Sequence, residues 1–185
     1  MATTVALSPP VMTPKRASLA VLLLALFAIG GAWYSQLVWG LAPCELCLLQ
    51  RWPYYIGVPL AAVTAALAFR AEPGKLVAML LAFLALVFLV SAVLAAYHAG
   101  VEWGFWPGPS ACTGQYAAPA STDDFLKSLD AGAAVRCDEA AIRILGLSLA
   151  GWNLVASLAI ASLAALGAKS AKHDPRRRDP LMSRR

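Results

Sequence analysis

Four long apolar runs constrain the fold of this chain more than any other feature of its sequence. Runs without charged residues lie at about 17–39, 54–69, 76–97 and 146–168. A helix of about 20 apolar residues spans the roughly 30 Å hydrocarbon core of a bilayer. The sequence therefore predicts an all-α integral membrane protein built as a bundle of four transmembrane helices.

The overall composition agrees with a membrane protein and not with a soluble domain. Hydrophobic residues make up 60% of the 185 residues and charged residues 14%, whereas soluble domains have about 45–50% and about 25%. The run at 54–69 is the shortest and contains Gly57 and Pro59, which transmembrane helices tolerate. We expect residues 1–185 to form a single membrane domain.

The first apolar run has one alternative interpretation. Lys15 and Arg16 precede it, and a cleaved signal peptide also begins with basic residues followed by an apolar segment. That segment is only about 7–15 residues long in a signal peptide, which is shorter than the run at 17–39. We therefore expect a transmembrane helix here.

The segments between the runs carry unequal charge. If both termini and the turn Arg70–Lys75 share one side, that side holds most of the 15 Lys and Arg residues, including those of a basic tail at 169–185. In the loops at about 40–53 and 98–145, acidic residues outnumber basic ones. Because basic residues concentrate in cytoplasmic segments, both termini are predicted to be cytoplasmic and both loops to lie outside.

The basic tail also bears on what the chain binds. A cluster of Lys and Arg directly after an apolar helix is suited to the surface of anionic membrane lipid. A nucleic-acid-binding domain would combine a basic patch with a recognisable binding motif, and the sequence has none. We expect contact with membrane lipid and no binding of nucleic acid.

The second outer loop contains one segment with helical spacing. Residues Ser121–Leu129 begin with residues that cap helices and place Phe125, Leu126 and Leu129 on one helical face. The spacing predicts a short amphipathic helix that lies on the membrane surface.

All four cysteines fall in the two outer loops. Cys44 and Cys47 lie in the first loop, and Cys112 and Cys137 lie in the second. Two membrane crossings separate the pairs, so the pairs share a side even if the predicted orientation is inverted. Structural disulfides are the usual fate of cysteines in an oxidising compartment, and this alternative stays open for Cys112 and Cys137. Four cysteines allow three pairings, and spacing does not choose among them.

The C-x-x-C pair of Cys44 and Cys47 points to redox chemistry. A disulfide across two residues closes a loop so small that it adds little by restricting the unfolded chain. The same spacing lowers a thiol pKa, and the thiolate is the form that attacks disulfides. Zinc sites also use this spacing, but a zinc site here would need all four cysteines to converge. Leu48 stands where a haem-attachment motif has histidine.

Arg51 and a lipid-soluble acceptor extend the redox hypothesis. If the second helix has begun by Cys47, Arg51 lies one turn further on the same face, where it would favour a thiolate at Cys47 and hold an anion on a bound acceptor. An arginine that extends to the lipid headgroups is the alternative. Pro53 either kinks this helix or marks its start. The chain has no haem, nucleotide or flavin motif, so we expect a membrane quinone near Cys47 and Arg51.

These motifs together resemble a known family, the bacterial disulfide bond formation protein B (DsbB). The likeness covers almost the whole chain and is carried by the segments Pro43–Tyr54, Pro107–Cys112 and Leu145–Asn153. The related vitamin K epoxide reductase type has a similar four-helix core, but its loop cysteines precede the C-x-x-C pair. Here the C-x-x-C pair comes first, which favours the DsbB family.

The resemblance implies a protein-dithiol:quinone oxidoreductase of the bacterial inner membrane with periplasmic cysteines. A reduced DsbA-like periplasmic thioredoxin-fold protein would attack a Cys112–Cys137 disulfide at Cys112. Cys137 would then attack Cys44 and free Cys47 as a thiolate facing ubiquinone or menaquinone. The DsbA–DsbB–quinone system keeps the periplasm oxidising kinetically, and the resemblance, not the residues, brings that role to this chain.

The resemblance also assigns expected roles to residues outside the cysteines. Arg51 matches the quinone-side arginine of the family, and His98, predicted just after the third helix, matches a histidine near the quinone. For His98 an ordinary interfacial histidine is the alternative. Glu45 departs from the apolar residue found in some members, which would alter the potential of the pair without removing its chemistry.

A second hypothesis comes from a different functional class. The chain could be a non-enzymatic membrane scaffold whose cysteines form structural disulfides, or its thiols could bind a soft metal ion such as Cu(I). Thiol-dependent reduction of quinone distinguishes the enzyme from both.

Overall fold

The computed structural model describes residues 12–70, 74–110, 112, 121–122 and 135–172. In these residues the chain forms helices and one short hairpin, which in chain order are α1 (Pro14–Leu37), α2 (Glu45–Leu49), α3 (Trp52–Arg70), α4 (Lys75–Glu102), β1 (Arg143–Ile144), β2 (Leu147–Ser148) and α5 (Leu149–Lys172).

Four helical segments are long and apolar enough to cross a membrane, which confirms the predicted fold class. They are Pro14–Leu37, Glu45–Arg70, Lys75–Glu102 and Leu149–Lys172, with mean hydropathies of 2.0, 1.4, 3.0 and 1.8. The second of these combines α2 and α3. The chain is therefore a multi-pass membrane protein with a four-helix core.

The distribution of side chains suits a bundle in lipid. Large apolar side chains face outward, as at Phe27, which is 82% exposed, while small residues such as Ala61 and Ala164 are fully buried between the helices. Small residues let neighbouring helices approach closely, and this close packing is what holds membrane helices together.

The first helix begins earlier than the apolar run suggested. It starts at Pro14 and not at 17, and it ends at Leu37. The Thr13 hydroxyl accepts a hydrogen bond from the backbone N–H of Arg16 at 3.3 Å, and proline suits the first helical position because its missing N–H would have no partner there. The apolar run marks the hydrocarbon-crossing part, and capping residues set where the helix begins.

The second span begins well before the predicted residue 54. Cys44 caps α2, so Cys47 is already helical, as the argument for Arg51 required. The helix is interrupted at Gln50 and Arg51, and α3 starts at Trp52. Pro53 occupies the second position of α3, where a proline costs no helical hydrogen bond. Pro53 therefore marks the start of α3.

The third helix extends past the predicted end at 97 and continues to Glu102. His98 is thus a residue of α4 and not a loop residue just after it. The chain then turns back, and the indole of Trp106 stacks on the Tyr97 ring and donates a hydrogen bond to the Tyr97 carbonyl at 2.9 Å. Gly100 makes room for that indole, because a Cβ at this position would overlap the ring.

The fourth helix begins at Leu149 and not at 146, because the preceding residues form a hairpin. β1 and β2 pair antiparallel, and the two turn residues, Leu145 and Gly146, have φ of 52° and 85°. Positive φ at both turn positions is typical of tight hairpins. The Trp152 indole N–H bonds the Ile144 carbonyl at 2.9 Å and ties the hairpin to α5. Apart from these four strand residues, the described residues confirm an all-α fold.

Some predicted features fall outside the described residues. The surface helix at Ser121–Leu129 is described only at 121–122, the turn between α3 and α4 lacks 71–73, and the basic tail is described only to Lys172.

The close contact between α3 and α4 gives a stability prediction. A Cβ added to Gly57 would lie 2.7 Å from Cζ of Phe88, which is fully buried and whose ring packs edge-on against Tyr54. We expect Gly57→Ala to lower the free energy of unfolding by about 1–3 kcal/mol, the usual cost of overpacking a core. Thermal denaturation in detergent measures it. Gly30→Ala is the control, since Gly30 has open space around it; equal stability of the two variants would contradict the prediction.

The helix ends determine where the cysteines lie. Side-chain contacts join the last turns of α1 to Arg51, Gln50 to His98 near the end of α4, and Gln50 to Asn153 near the start of α5. These ends therefore meet at one end of the bundle, and α2 with its two cysteines lies there.

Candidate redox site

The C-x-x-C pair is built into the start of α2. Cys44 is the N-cap residue, and its sulfur accepts a hydrogen bond from the backbone N–H of Cys47 at 3.3 Å. The Cys47 thiol lies 2.9 Å from the same sulfur. Both are free thiols, with Cys44 buried and Cys47 half-buried. One turn of helix thus brings the two sulfurs together.

The hydrogen bonds favour a thiolate at Cys44. The hydrogen bond between the two thiols lowers the pKa of Cys44 to about 4; His98 and the Cys47 backbone N–H act in the same direction, against burial. From the sequence, a thiolate is expected at Cys47, next to Arg51. In the reduced pair these contacts favour a thiolate at Cys44 instead, because they lower the pKa of that thiol.

A chain of polar side chains fixes the position of His98. Tyr54 donates to the Asn153 amide oxygen at 2.6 Å, Asn153 donates to Gln50 at 2.5 Å, and the Gln50 amide nitrogen lies 2.6 Å from His98 Nδ1. With Nδ1 accepting, the ring proton lies on Nε2, which is 3.7 Å from the Cys44 sulfur. The chain of donors therefore directs an N–H towards that sulfur.

Glu102 lies one helical turn beyond His98. Its Oε1 is 3.7 Å from His98 Nε2, and its side chain is only 6% exposed. Among the described residues its Oε2 has no hydrogen-bond partner. A buried carboxylate without a full set of partners is costly and is typical of functional sites.

Arg51 is buried against α1. Its guanidinium donates to the Gln36 side chain at 2.7 Å and to the Ala32 carbonyl at 3.3 Å, and it lies 5.1 Å from the centre of the Trp33 ring. Arg51 is only 6% exposed, so an arginine that extends to the lipid headgroups is the wrong interpretation.

A cavity of about 470 Å³ lies beside these residues. Its walls come mainly from apolar side chains of α1, the segment 39–43 and α5, and its polar lining includes Cys47, Gln50, Arg51 and His98. Cavities of about 300–1,000 Å³ with apolar walls and a few polar groups are typical of small-molecule sites. Cys47 and Arg51 thus line one cavity, as the sequence predicted.

The second cysteine pair packs against the first. Cys112 and Cys137 form a disulfide with a Cα–Cα distance of 5.3 Å, and the Cys137 N–H bonds the Cys112 carbonyl at 2.7 Å. Both are buried in one cluster with Cys44, Leu46 and Val101. The fold therefore brings all four cysteines to one place and pairs Cys112 with Cys137, as the resemblance implied.

Comparisons with known proteins agree with this arrangement. The family model for disulfide bond formation protein DsbB matches residues 14–167. The chain belongs to the DsbB family. Disulfide bond formation protein B 1 of Pseudomonas putida is 34% identical over 149 residues, which are 78% of this chain and 84% of that protein. The corresponding protein of Pseudomonas entomophila is 35% identical over 153 residues, 80% of this chain and 85% of that one. No solved structure matches.

Membership of the DsbB family establishes the general function. The chain is a membrane oxidoreductase of disulfide bond formation, and redox chemistry at cysteines follows from that role. A non-enzymatic scaffold is therefore not the best account of these cysteines.

Several residues of this DsbB-family site were not predicted from the sequence. Gln36 was not mentioned, Gln50, Tyr54 and Asn153 were named only as members of the family-like segments and given no role, and Glu102 was counted only as a loop charge. A usable signal was present for Asn153, because an amide inside an apolar run marks a functional position in a membrane helix. For Glu102 the signal was its i, i+4 spacing from His98, which becomes visible only when α4 is extended to Glu102.

Proposed function

We propose that this protein is a protein-dithiol:quinone oxidoreductase that reoxidises a DsbA-like periplasmic thioredoxin-fold protein and passes the electrons to ubiquinone or menaquinone. The observation that carries the proposal is the single buried cluster that holds the Cys112–Cys137 disulfide and Cys44, with Cys47 between that cluster and the cavity. Electrons that enter at the second pair therefore have a short path to the cavity.

The relay begins with exchange between disulfides. The thiolate of the reduced partner attacks Cys112, forms a mixed disulfide and releases Cys137 as a thiolate. Cys137 attacks Cys44 of an oxidised Cys44–Cys47 pair and releases Cys47 as a thiolate. The partner's second thiol then displaces Cys112, which attacks Cys137 and restores the Cys112–Cys137 disulfide. The net change is one oxidised partner and one reduced Cys44–Cys47 pair.

The described arrangement, with free Cys44 and Cys47 beside a Cys112–Cys137 disulfide, corresponds to the end of that exchange. A bound quinone supplies the acceptor for two electrons and two protons. Cys44 and Cys47 then join as a disulfide as they lose two electrons and the proton of the remaining thiol, and the second proton comes from water. His98 holds its Nε2 towards Cys44 and steadies the charge on that sulfur.

The cavity fits a quinone by its chemistry. Its apolar walls suit a ring and an isoprenoid tail, and Arg51 offers charged N–H donors to quinone oxygens on which negative charge develops. His98 lines the same cavity and is the second residue proposed for quinone binding.

The proposed location follows from charge. Basic residues dominate the termini and the α3–α4 turn, which supports cytoplasmic termini, periplasmic cysteines and insertion in the inner membrane.

Quinone reduction tests the proposal directly. The purified protein is given a stoichiometric reduced thioredoxin-like dithiol and excess quinone, and loss of quinone is followed by its ultraviolet absorbance. We expect loss that depends on the dithiol, and we expect Cys44→Ser and Cys47→Ser to abolish it, because neither variant can form the C-x-x-C disulfide. Thr64→Ser, a buried change on α3, is the control. Quinone that stays unreduced with the unaltered protein, or full activity in Cys47→Ser, would overturn the proposal.

A further inference from the structure

Three metal-ligating atoms converge in the reduced site. The sulfurs of Cys44 and Cys47 and a ring nitrogen of His98 all lie within 4.8 Å of one another. Zinc bonds of about 2.3 Å to sulfur and about 2.0–2.1 Å to nitrogen separate tetrahedral ligand atoms by roughly 3.3–3.8 Å. The distance from Cys44 Sγ to His98 Nε2 is 3.7 Å. Small side-chain shifts therefore suffice to surround one ion.

Glu102 offers a fourth ligand and independent evidence for a cation. Its carboxylate lies 3.7 Å from His98 Nε2 and is 94% buried, since its side chain is 6% exposed. Its Oε2 has no hydrogen-bond partner among the described residues. A cation held by the two sulfurs and His98 would lie beside this carboxylate, which could turn from His98 to the ion, and would offset the cost of burying it.

We propose that the reduced Cys44–Cys47 pair, together with His98 and Glu102, forms a four-coordinate zinc site. Two thiolates, an imidazole and a carboxylate are all ligands that Zn²⁺ takes in tetrahedral sites. Sulfur and nitrogen ligands exclude Mg²⁺ and Ca²⁺, and a carboxylate ligand favours Zn²⁺ over Cu(I). From the sequence, zinc was only an alternative that would have needed all four cysteines, and no metal site was expected; in the proposed site His98 and Glu102 take the place of two cysteines.

The polar chain behind His98 can adapt to a bound ion. Zinc would take the lone pair of His98 Nε2, so the ring proton would move to Nδ1 and be donated to the Gln50 amide oxygen. Rotation of the Gln50 and Asn153 amides by half a turn reverses each hydrogen bond. Tyr54 would then accept from Asn153 and donate to Ser157, whose hydroxyl is 3.2 Å away. Every group keeps a partner, and His98 gains the outer hydrogen bond that metal-bound histidines usually have.

Zinc binding has a consequence for the redox cycle. Binding displaces the remaining thiol protons and involves no electron transfer. Sulfurs bonded to zinc are not free to join as a disulfide, so zinc would hold the first cysteine pair reduced and stop turnover. This inhibition depends on the proposed quinone reaction, whereas metal binding itself does not.

Cobalt provides a spectroscopic test that does not depend on activity. The Cys112→Ser/Cys137→Ser protein, in which only Cys44 and Cys47 remain as thiols, is reduced, freed of reductant and titrated with Co²⁺ and then with Zn²⁺. We expect one ion per chain, the intense visible bands of tetrahedral cobalt, sulfur-to-cobalt charge-transfer absorption, and displacement by Zn²⁺. The unaltered protein, with its native disulfide kept, is titrated in parallel to show that the double substitution has not created the site.

Matched variants identify the ligands. Glu102→Gln keeps the shape of the side chain and should weaken Zn²⁺ binding by about tenfold or more, while Glu139→Gln, an exposed change outside the C-x-x-C turn, should leave it unchanged. His98→Asn should weaken binding and alter the cobalt bands. Octahedral cobalt spectra, or equal affinity in Glu102→Gln and the unaltered protein, would overturn the proposal. Zinc binding without thiol-dependent quinone reduction would overturn the proposed function and leave the zinc site standing.

Discussion

Cys137→Ser is expected to stop turnover completely and to trap the partner protein on Cys112. In the unaltered protein Cys137 is both the partner of Cys112 and the proposed attacker of Cys44, so its loss interrupts the relay between the two pairs. The free Cys112 thiolate then exchanges with the disulfide form of a thioredoxin-like partner, which is the reverse of the step in which the partner's second thiol displaces Cys112 and needs no added oxidant. Non-reducing electrophoresis detects the adduct, and mass spectrometry of its peptides identifies the joined cysteines.

The control for this experiment exchanges the roles of the two loop cysteines. Cys112→Ser leaves Cys137 as the free thiol and should give little adduct if Cys112 is the residue that meets the partner. Cys112 and Cys137 are almost equally buried, at 2% and 0% exposure, so burial alone does not create the expected difference. A partner linked to Cys44, or equal trapping by both variants, would show that the proposed order of the relay is wrong.

The number and approximate positions of the membrane-spanning helices could be predicted from the sequence, because the thickness of the bilayer sets how long an apolar run must be to span it. The ends of the helices were predicted less well, because polar capping residues determine where a helix begins and ends. Thr13 begins α1 within a polar segment, and Cys44 begins α2 before the apolar run at 54–69. Such helix caps depend on local hydrogen bonds and not on hydropathy.

Spacing and tertiary packing contributed differently to the site. The proximity of Cys44 and Cys47 and the position of Arg51 near them follow from local spacing, so the sequence could indicate them. The contact between Gln50 and Asn153 joins residues 103 positions apart, and only the packing of α5 against α1 and α4 brings them together. The packing of Cys112 and Cys137 against Cys44 also depends on tertiary structure. From the sequence, only the family resemblance implied that the two pairs meet.

Arg51→Lys is expected to raise the KM for quinone by about tenfold to a hundredfold. Hydrogen bonds to charged groups contribute about 1.5–3 kcal/mol, and about 1.4 kcal/mol corresponds to a tenfold change in binding. Lysine keeps the charge but not the planar set of donors with which Arg51 reaches Gln36 and Ala32, so it cannot keep one donor on α1 and direct another into the cavity. Initial rates at increasing quinone concentration measure the effect.

Two further measurements separate quinone binding from a general disturbance of the site. The rate of exchange between the reduced partner and the Cys112–Cys137 disulfide, followed without quinone, should be unchanged in Arg51→Lys, because that step occurs in the cysteine cluster and not in the cavity. Arg143→Lys, an exposed change in β1, should leave both the exchange rate and the KM unaltered. If Arg51→Lys slowed thiol exchange and left the KM for quinone unchanged, Arg51 would act on the cysteines and not on the quinone. The proposal that quinone binds in this cavity would then be contradicted.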